Sequence, residues 1–152
     1  MNFFSVLNHW VHLCSVIFWM GGVAFQLFVV FPFRGKDKIA PPYLINLASR
    51  FQKIISPLLL ILIVTGGVNI GFRRAGFETI PNGYIASLAF KLLLVATVVC
   101  IHFFSFVHVN LDNTFANEHE TQIRSLIRYG TFTLIIGMII IFIAAMLRQW
   151  KF

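Results

Sequence analysis

Two histidines and one lysine stand out in this chain because of what surrounds them. His12 lies in the first long apolar stretch, and Lys91 and His102 lie in the third, which reads Lys-Leu-Leu-Leu-Val-Ala-Thr-Val-Val-Cys-Ile-His. An ionisable group in hydrocarbon costs several kcal/mol unless it is paired or used, so these residues are the first place to look for chemistry. On a helix, Lys91 and His102 are separated by about three turns plus roughly 20°, which puts them on one face about 16 Å apart. His9 and His108 are secondary candidates: His9 falls about 90° off the polar side of its helix, and His108 points away from His102.

Imidazole ligates haem iron, copper and zinc, and it also simply hydrogen-bonds across helices; both readings stand for His12 and His102. Haem suits the chain better than a bare soft metal. His12 with Cys14, and Cys100 with His102, are two residues apart, about 200° around a helix, so neither pair grips one copper ion easily. Met138 and Met146 are the soft ligands that the fourth stretch offers, and packing is the simpler reading of that stretch. The eighteen phenylalanines, with Phe103, Phe104 and Phe106 beside His102, supply apolar walls for a macrocycle or, equally, a lipid-facing surface. Depth adds a constraint. His12 precedes the middle of its helix and His102 follows the middle of its own, so they are expected on the order of 12 to 17 Å apart along the membrane normal. One haem cannot be bridged by both. Either two sites exist at two depths, or one histidine ligates and the other does something else.

The elements that must position these residues are membrane helices. Of 152 residues, 59% are hydrophobic and 11% charged, too little polar surface for a soluble globule. Four stretches, Phe3 to Phe33, Ile54 to Ile70, Ile85 to Val109 and Tyr129 to Leu147, each reach the ~17 residues a spanning helix needs. The expected fold is all-α, an integral membrane four-helix bundle forming a single domain over 1–152, with sequence neighbours antiparallel. The first stretch has no basic start and no small-residue cleavage site, and it reads as a mature helix rather than a signal peptide. In that helix Ser5, His12, Ser15, Trp19, Gly22 and Gln26 share one side, expected to face protein, with Gly21-Gly22 permitting close approach of a helix or a flat ligand. Thr65-Gly66-Gly67 repeats the small-residue signature in the second helix. The two cysteines, both inside apolar stretches, read as free thiols.

Breaks are expected at Pro41-Pro42, at Gly71 just past Ile70, at Pro81-Asn82-Gly83, and across the polar run Asn110 to Gln122, where His119 reads as a solvated loop residue. The formal charge of +7 sits at helix ends. It serves lipid headgroups and topology rather than nucleic acid, for which there is no basic soluble face. Arg34, Lys36, Lys38, Arg50, Lys53, Arg124 and Arg128 lie on one side and Arg73, Arg74, Arg148 and Lys151 on the other, which orients both termini outward. Arg50 and Lys53, with Arg73, Arg74, Arg124 and Arg128, are candidate partners for haem propionates or lipid phosphates.

His12 followed by Trp19 and Gly21-Gly22, and Arg50-Phe51 followed by Thr65-Gly66, resemble the copper resistance protein D family. Lys91 followed by His102, with the His12 to Trp19 spacing, resembles the membrane protoporphyrinogen oxidases of the HemJ type. The resemblance covers three of the four helices. It implies a four-helix membrane protein with His12 and His102 as matched histidines, Lys91 as matched lysine, and haem b or copper as cofactor. His9 and His108 lie outside those patterns and point to additional haem ligation, as in a cytochrome-like relative. The expected function is thus a b-type haem protein carrying electrons in a membrane, that of the bacterial cytoplasm, alone, as a homo-oligomer or with other redox subunits. The cofactor-binding set is His12, His102, His9, His108, Arg50, Lys53, Lys91 and Arg128. Porphyrinogen oxidation, with Lys91 neutral or paired with a substrate carboxylate, is the enzymatic alternative. Copper movement is the transport alternative, weakened by the absence of methionine-rich stripes.

Overall fold

A computed structural model describes residues 3–33, 41–74, 82–111 and 119–149, with the side chains of 33, 41, 73, 74, 82, 108–111, 119, 148 and 149 outside that description. Every described element is helical. Helix α1 runs Phe3–Phe25 and continues through a wide π-helical turn, Gln26–Val30, into a short 3-10 turn, Phe31–Phe33. Helix α2 is Pro41–Arg74, α3 is Asn82–Leu111 and α4 is His119–Gln149. Each of the four contains an apolar span long enough to cross a membrane.

These helices are amphipathic in the membrane sense, with a narrow inward stripe and a broad apolar exterior. In each spanning window between 11% and 22% of the residues are buried inside the protein, so most of the apolar surface is left for lipid to cover. Phe18, Phe28, Ile54, Leu60, Phe103, Phe104 and Phe142 all point outward. Phe103 and Phe104 meet edge to face at 6.3 Å on that exterior, so they are lipid-facing and do not wall a ligand beside His102. Met138 and Met146 are likewise exposed on α4 and are not placed as ligands.

Helix α1 packs chiefly on α2 and α3 on α4, with α1 and α3 at opposite corners of the bundle. Cross-helix contacts run in opposite directions along neighbours, Asn8 and His12 meeting Thr65 while Gly22 meets Phe51, so α1 and α2 are antiparallel. Two apolar clusters form the core. Trp19, Val23, Ile55, Leu59 and Val98 fill the middle, and Val30, Phe31, Leu44, Ile45, Ala48, Ile123 and Leu126 close one end. The opposite end of α1 and α2 is joined by polar contacts, described below. Gly22 is required by the packing: a Cβ there would overlap the Phe51 ring.

Three boundaries differ from the sequence expectation. Helix α2 begins at Pro41, well before its apolar span, because proline suits the first helical turn, where its missing N–H costs nothing. It then runs past Gly71 to Arg74; open space around that glycine exerts no pressure to turn, and backbone hydrogen bonds at a membrane boundary favour continuation. The third loop is shorter than Asn110 to Gln122, since α3 reaches Leu111 and α4 starts at His119. Burial of Gln122 and Ile123 against the end of the bundle holds the first turns of α4 in place. Arg34, Lys36, Lys38, Pro81, Asp112, Glu118 and Lys151 lie outside the described residues, as do the side chains of Arg73, Arg74, His108, His119 and Arg148.

Candidate functional site

Each of the two half-buried histidines is met by a hydroxyl on α2. His12 Nδ1 lies 2.8 Å from Thr65 Oγ1, and His102 Nε2 lies 3.0 Å from Ser56 Oγ. The direction of each bond follows from what the hydroxyl does with its own proton. Thr65 Oγ1 donates to the Ile61 carbonyl at 2.6 Å, and Ser56 Oγ donates to the Gln52 carbonyl at 2.9 Å. A hydroxyl has one proton to give, so both oxygens must accept from the imidazoles. In the neutral rings, His12 is therefore the Nδ1–H tautomer with its lone pair on Nε2, and His102 is the Nε2–H tautomer with its lone pair on Nδ1.

Around His12 the cluster continues. Asn8 Nδ2 donates to the Thr65 carbonyl at 3.0 Å and to Asn69 Oδ1 at 2.9 Å, one turn further toward the membrane boundary on both helices. The ring lies against α2, where a Cβ on Gly66 would come within 3.4 Å of its Cε1. Lys91 of α3 stands within Coulombic range of His12, as does His9. Thus the structure brings Lys91 to His12, not to His102. His9 itself is exposed on α1. Beside the cluster a groove of ≈ 440 Å³ opens between α1 and α2, with Asn8, Val11, Thr65 and Phe72 among its walls.

The second cluster lies deeper toward the other membrane face. Thr65 and Ser56 are nine residues apart on α2, which separates the two imidazoles by about 13 Å along the axis. Gln52 Nε2 donates to Ser105 Oγ at 2.7 Å, locking α2 to α3 one turn from His102. These groups border a cavity of ≈ 50 Å³ among all four helices, reached also by Gln26, Tyr129 and Thr133. Arg50, Lys53 and Arg128 flank this level on their own helices, and all three are exposed. Arg124 pairs with Glu120 at 3.4 Å on the surface. The proposed cationic partners are therefore split: Lys91 belongs to the His12 level, and Arg50, Lys53 and Arg128 to the His102 level.

A single haem bridged by the two histidines does not fit this geometry. Opposed axial nitrogens lie about 4 Å apart if each metal bond is ~2 Å, far short of the spacing between the clusters. The inner cavity is also several-fold smaller than the ~300 Å³ at which ligand-burying pockets begin. The donor chemistry of either histidine taken singly fits an iron ligand, because a ligating histidine characteristically donates its other ring N–H to a fixed acceptor; at His102 it is the small size of the adjoining cavity that disfavours haem. For copper, no group of three or more His, Cys, Asp or Glu side chains assembles among the described residues. Cys14 and Cys100 are both free thiols, Cys100 exposed on α3.

Sequence reasoning found His12, Lys91 and His102 but passed over Asn8, Gln52, Ser56, Asn69 and Ser105. Their signal was present as polar pairs at helical spacing within apolar stretches: Asn8 with His12, Gln52 with Ser56, Thr65 with Asn69, His102 with Ser105. Comparison with family models, curated proteins and solved structures finds no match, so the likeness to the copper resistance protein D and HemJ-type families rests on the quoted residues alone.

Proposed function

We propose that the chain is a membrane b-type haem protein that carries electrons, with His12 as the residue that would hold the iron. The observation that carries this reading is the bond from His12 Nδ1 to a Thr65 hydroxyl already committed to Ile61. It presets the lone pair on Nε2 and fixes the ring plane before any ligand arrives. When bound, haem supplies one-electron exchange at its iron. The chain's part is to hold the imidazole in one tautomer against α2. The groove beside Asn8 and Thr65 is the larger space near this cluster; His12 is not among the residues that line it, so a macrocycle on His12 requires the groove to open toward the ring. The exposed apolar exterior leaves room for other redox subunits or a second copy, and the bacterial cytoplasmic membrane is the setting this reading assigns.

A pyridine haemochrome assay on the purified chain tests it. One haem b per chain, lost in His12→Ala and kept in His102→Ala, is expected; a colourless protein, or equal loss in both variants, would overturn the assignment.

Lys91 favours a second reading. A lysine beside His12 in a membrane helix suits a carboxylate-bearing tetrapyrrole as substrate, which is porphyrinogen oxidation rather than electron carriage. Complementation of a strain lacking protoporphyrinogen oxidase separates the two.

A further inference from the structure

Gln52 is 7% exposed, and its Oε1 is buried without a hydrogen-bond partner among the described residues. Its Nε2 donates to Ser105 Oγ at 2.7 Å; were the amide turned over, Oε1 would accept from that hydroxyl and Nε2 would be the unpartnered end, so in either orientation one polar end of a buried amide is left over. A buried polar group left unpaired costs about 1–3 kcal/mol, and bundles retain such groups where something fills the need. Gln52 lines the ≈ 50 Å³ cavity, which His102 also lines. The occupant must be small and must hydrogen-bond to the free end of the amide, which water does as donor or as acceptor. No carboxylate borders the cavity, so a metal cation is disfavoured and a neutral hydrogen-bonding molecule is favoured. Water occupies roughly 30 Å³ in the liquid, so the space suits one or a few molecules.

We infer that this cavity is a hydration site in which water bonded to the free end of the Gln52 amide exchanges protons with His102, making His102 a proton-accepting group rather than a metal ligand. The tautomer sets the direction. Ser56 holds Nε2–H, so an incoming proton adds to the Nδ1 lone pair, and the resulting imidazolium keeps its bond to Ser56. Release of one proton back to water restores the neutral ring, and no other bond forms or breaks. The titratable groups facing the site are His102 on α3 and Tyr129 on α4; α1 and α2 contribute Trp19, Gln26 and Gln52, which do not titrate. The inference does not depend on haem at His12. It gives the two histidines different tasks at different depths.

The test is solid-state NMR of the full chain in lipid bilayers with ¹⁵N-labelled histidine, the ring signals assigned by His12→Asn and His102→Asn. Rapid polarisation transfer from water to the His102 ring is expected in the wild type, together with a reversible shift of that ring's signals as the pH of the bathing buffer is lowered. Gln52→Leu, or Gln52→Met should the first not fold, is expected to reduce the water transfer at least tenfold. No transfer in the wild type, or transfer undiminished in the variant, would overturn the proposal. Neither outcome bears on the haemochrome result.

Discussion

His12 donates through Nδ1 to Thr65 Oγ1 at 2.8 Å, and Thr65 Oγ1 in turn donates a hydrogen bond to the Ile61 carbonyl at 2.6 Å. This two-step chain crosses from α1 to α2 and ends on backbone, so the acceptor cannot rotate away without breaking a second bond. Replacing the hydroxyl by an isosteric methyl isolates its role. Thr65→Val is expected to lower haem affinity about 10- to 100-fold, the usual effect of losing a partner that orients a ligating histidine. Thr65→Ser is expected to restore most of it. Haem titration followed by absorption measures both, and equal affinity in all three proteins would show that the hydroxyl orients nothing.

Asn8 and Asn69 extend the same seam, and here the expected effect is on stability. Their amide bond at 2.9 Å joins α1 to α2 near the membrane boundary. Cross-helix hydrogen bonds in membranes contribute about 0.6 kcal/mol on average and seldom more than ~1.7. A double-mutant cycle with Asn8→Ala and Asn69→Ala, followed by reversible unfolding in mixed micelles, should give a coupling energy in that range. A coupling of zero would leave the seam without energetic content.

How much of this was legible beforehand divides along physical lines. The four helices follow from hydrophobicity alone, because lipid admits no other chain of this composition. His12, Lys91 and His102 stood out because a titratable group in such a stretch is costly. Ser56 did not, because a hydroxyl satisfies itself on the carbonyl four residues back at little cost, and Gln52 and Ser105 did not, because only the facing helix reveals the bond between them. The helix ends were misjudged at Gly71 and Asn110 for a related reason: a glycine or a polar run signals a stop only when nothing favours continuation. The pairing of Lys91 with His12 needed the bundle's geometry, since no spacing within one helix reports on another.

Packing around the glycines gives a graded series. A Cβ at Gly22 would overlap the Phe51 ring, whereas one at Gly67 meets nothing within 4 Å. Gly22→Ala should therefore destabilise by about 1–3 kcal/mol, the range for overpacking, and Phe51→Leu should recover part of that loss. Gly67→Ala should be neutral or slightly stabilising through helix propensity. Unfolding midpoints of the four proteins check this, and equal midpoints for Gly22→Ala and Gly67→Ala would contradict the close contact.

Lys91 supplies the last prediction, because charge and packing separate cleanly there. It stands within Coulombic range of His12 on a helix that otherwise makes little contact with α1, so its effect on a ligand at His12 acts through its charge. A tetrapyrrole with propionates gains from that cation, and one without carboxylates does not. Lys91→Met is accordingly expected to weaken binding of haem b several-fold while leaving an iron porphyrin that bears only alkyl groups unaffected. Lys91→Arg should preserve the preference. Parallel titrations of the two porphyrins against each protein measure the ratio. Should both porphyrins weaken equally in Lys91→Met, the lysine supports the helix and not the ligand, and the carboxylate-recognition role is lost.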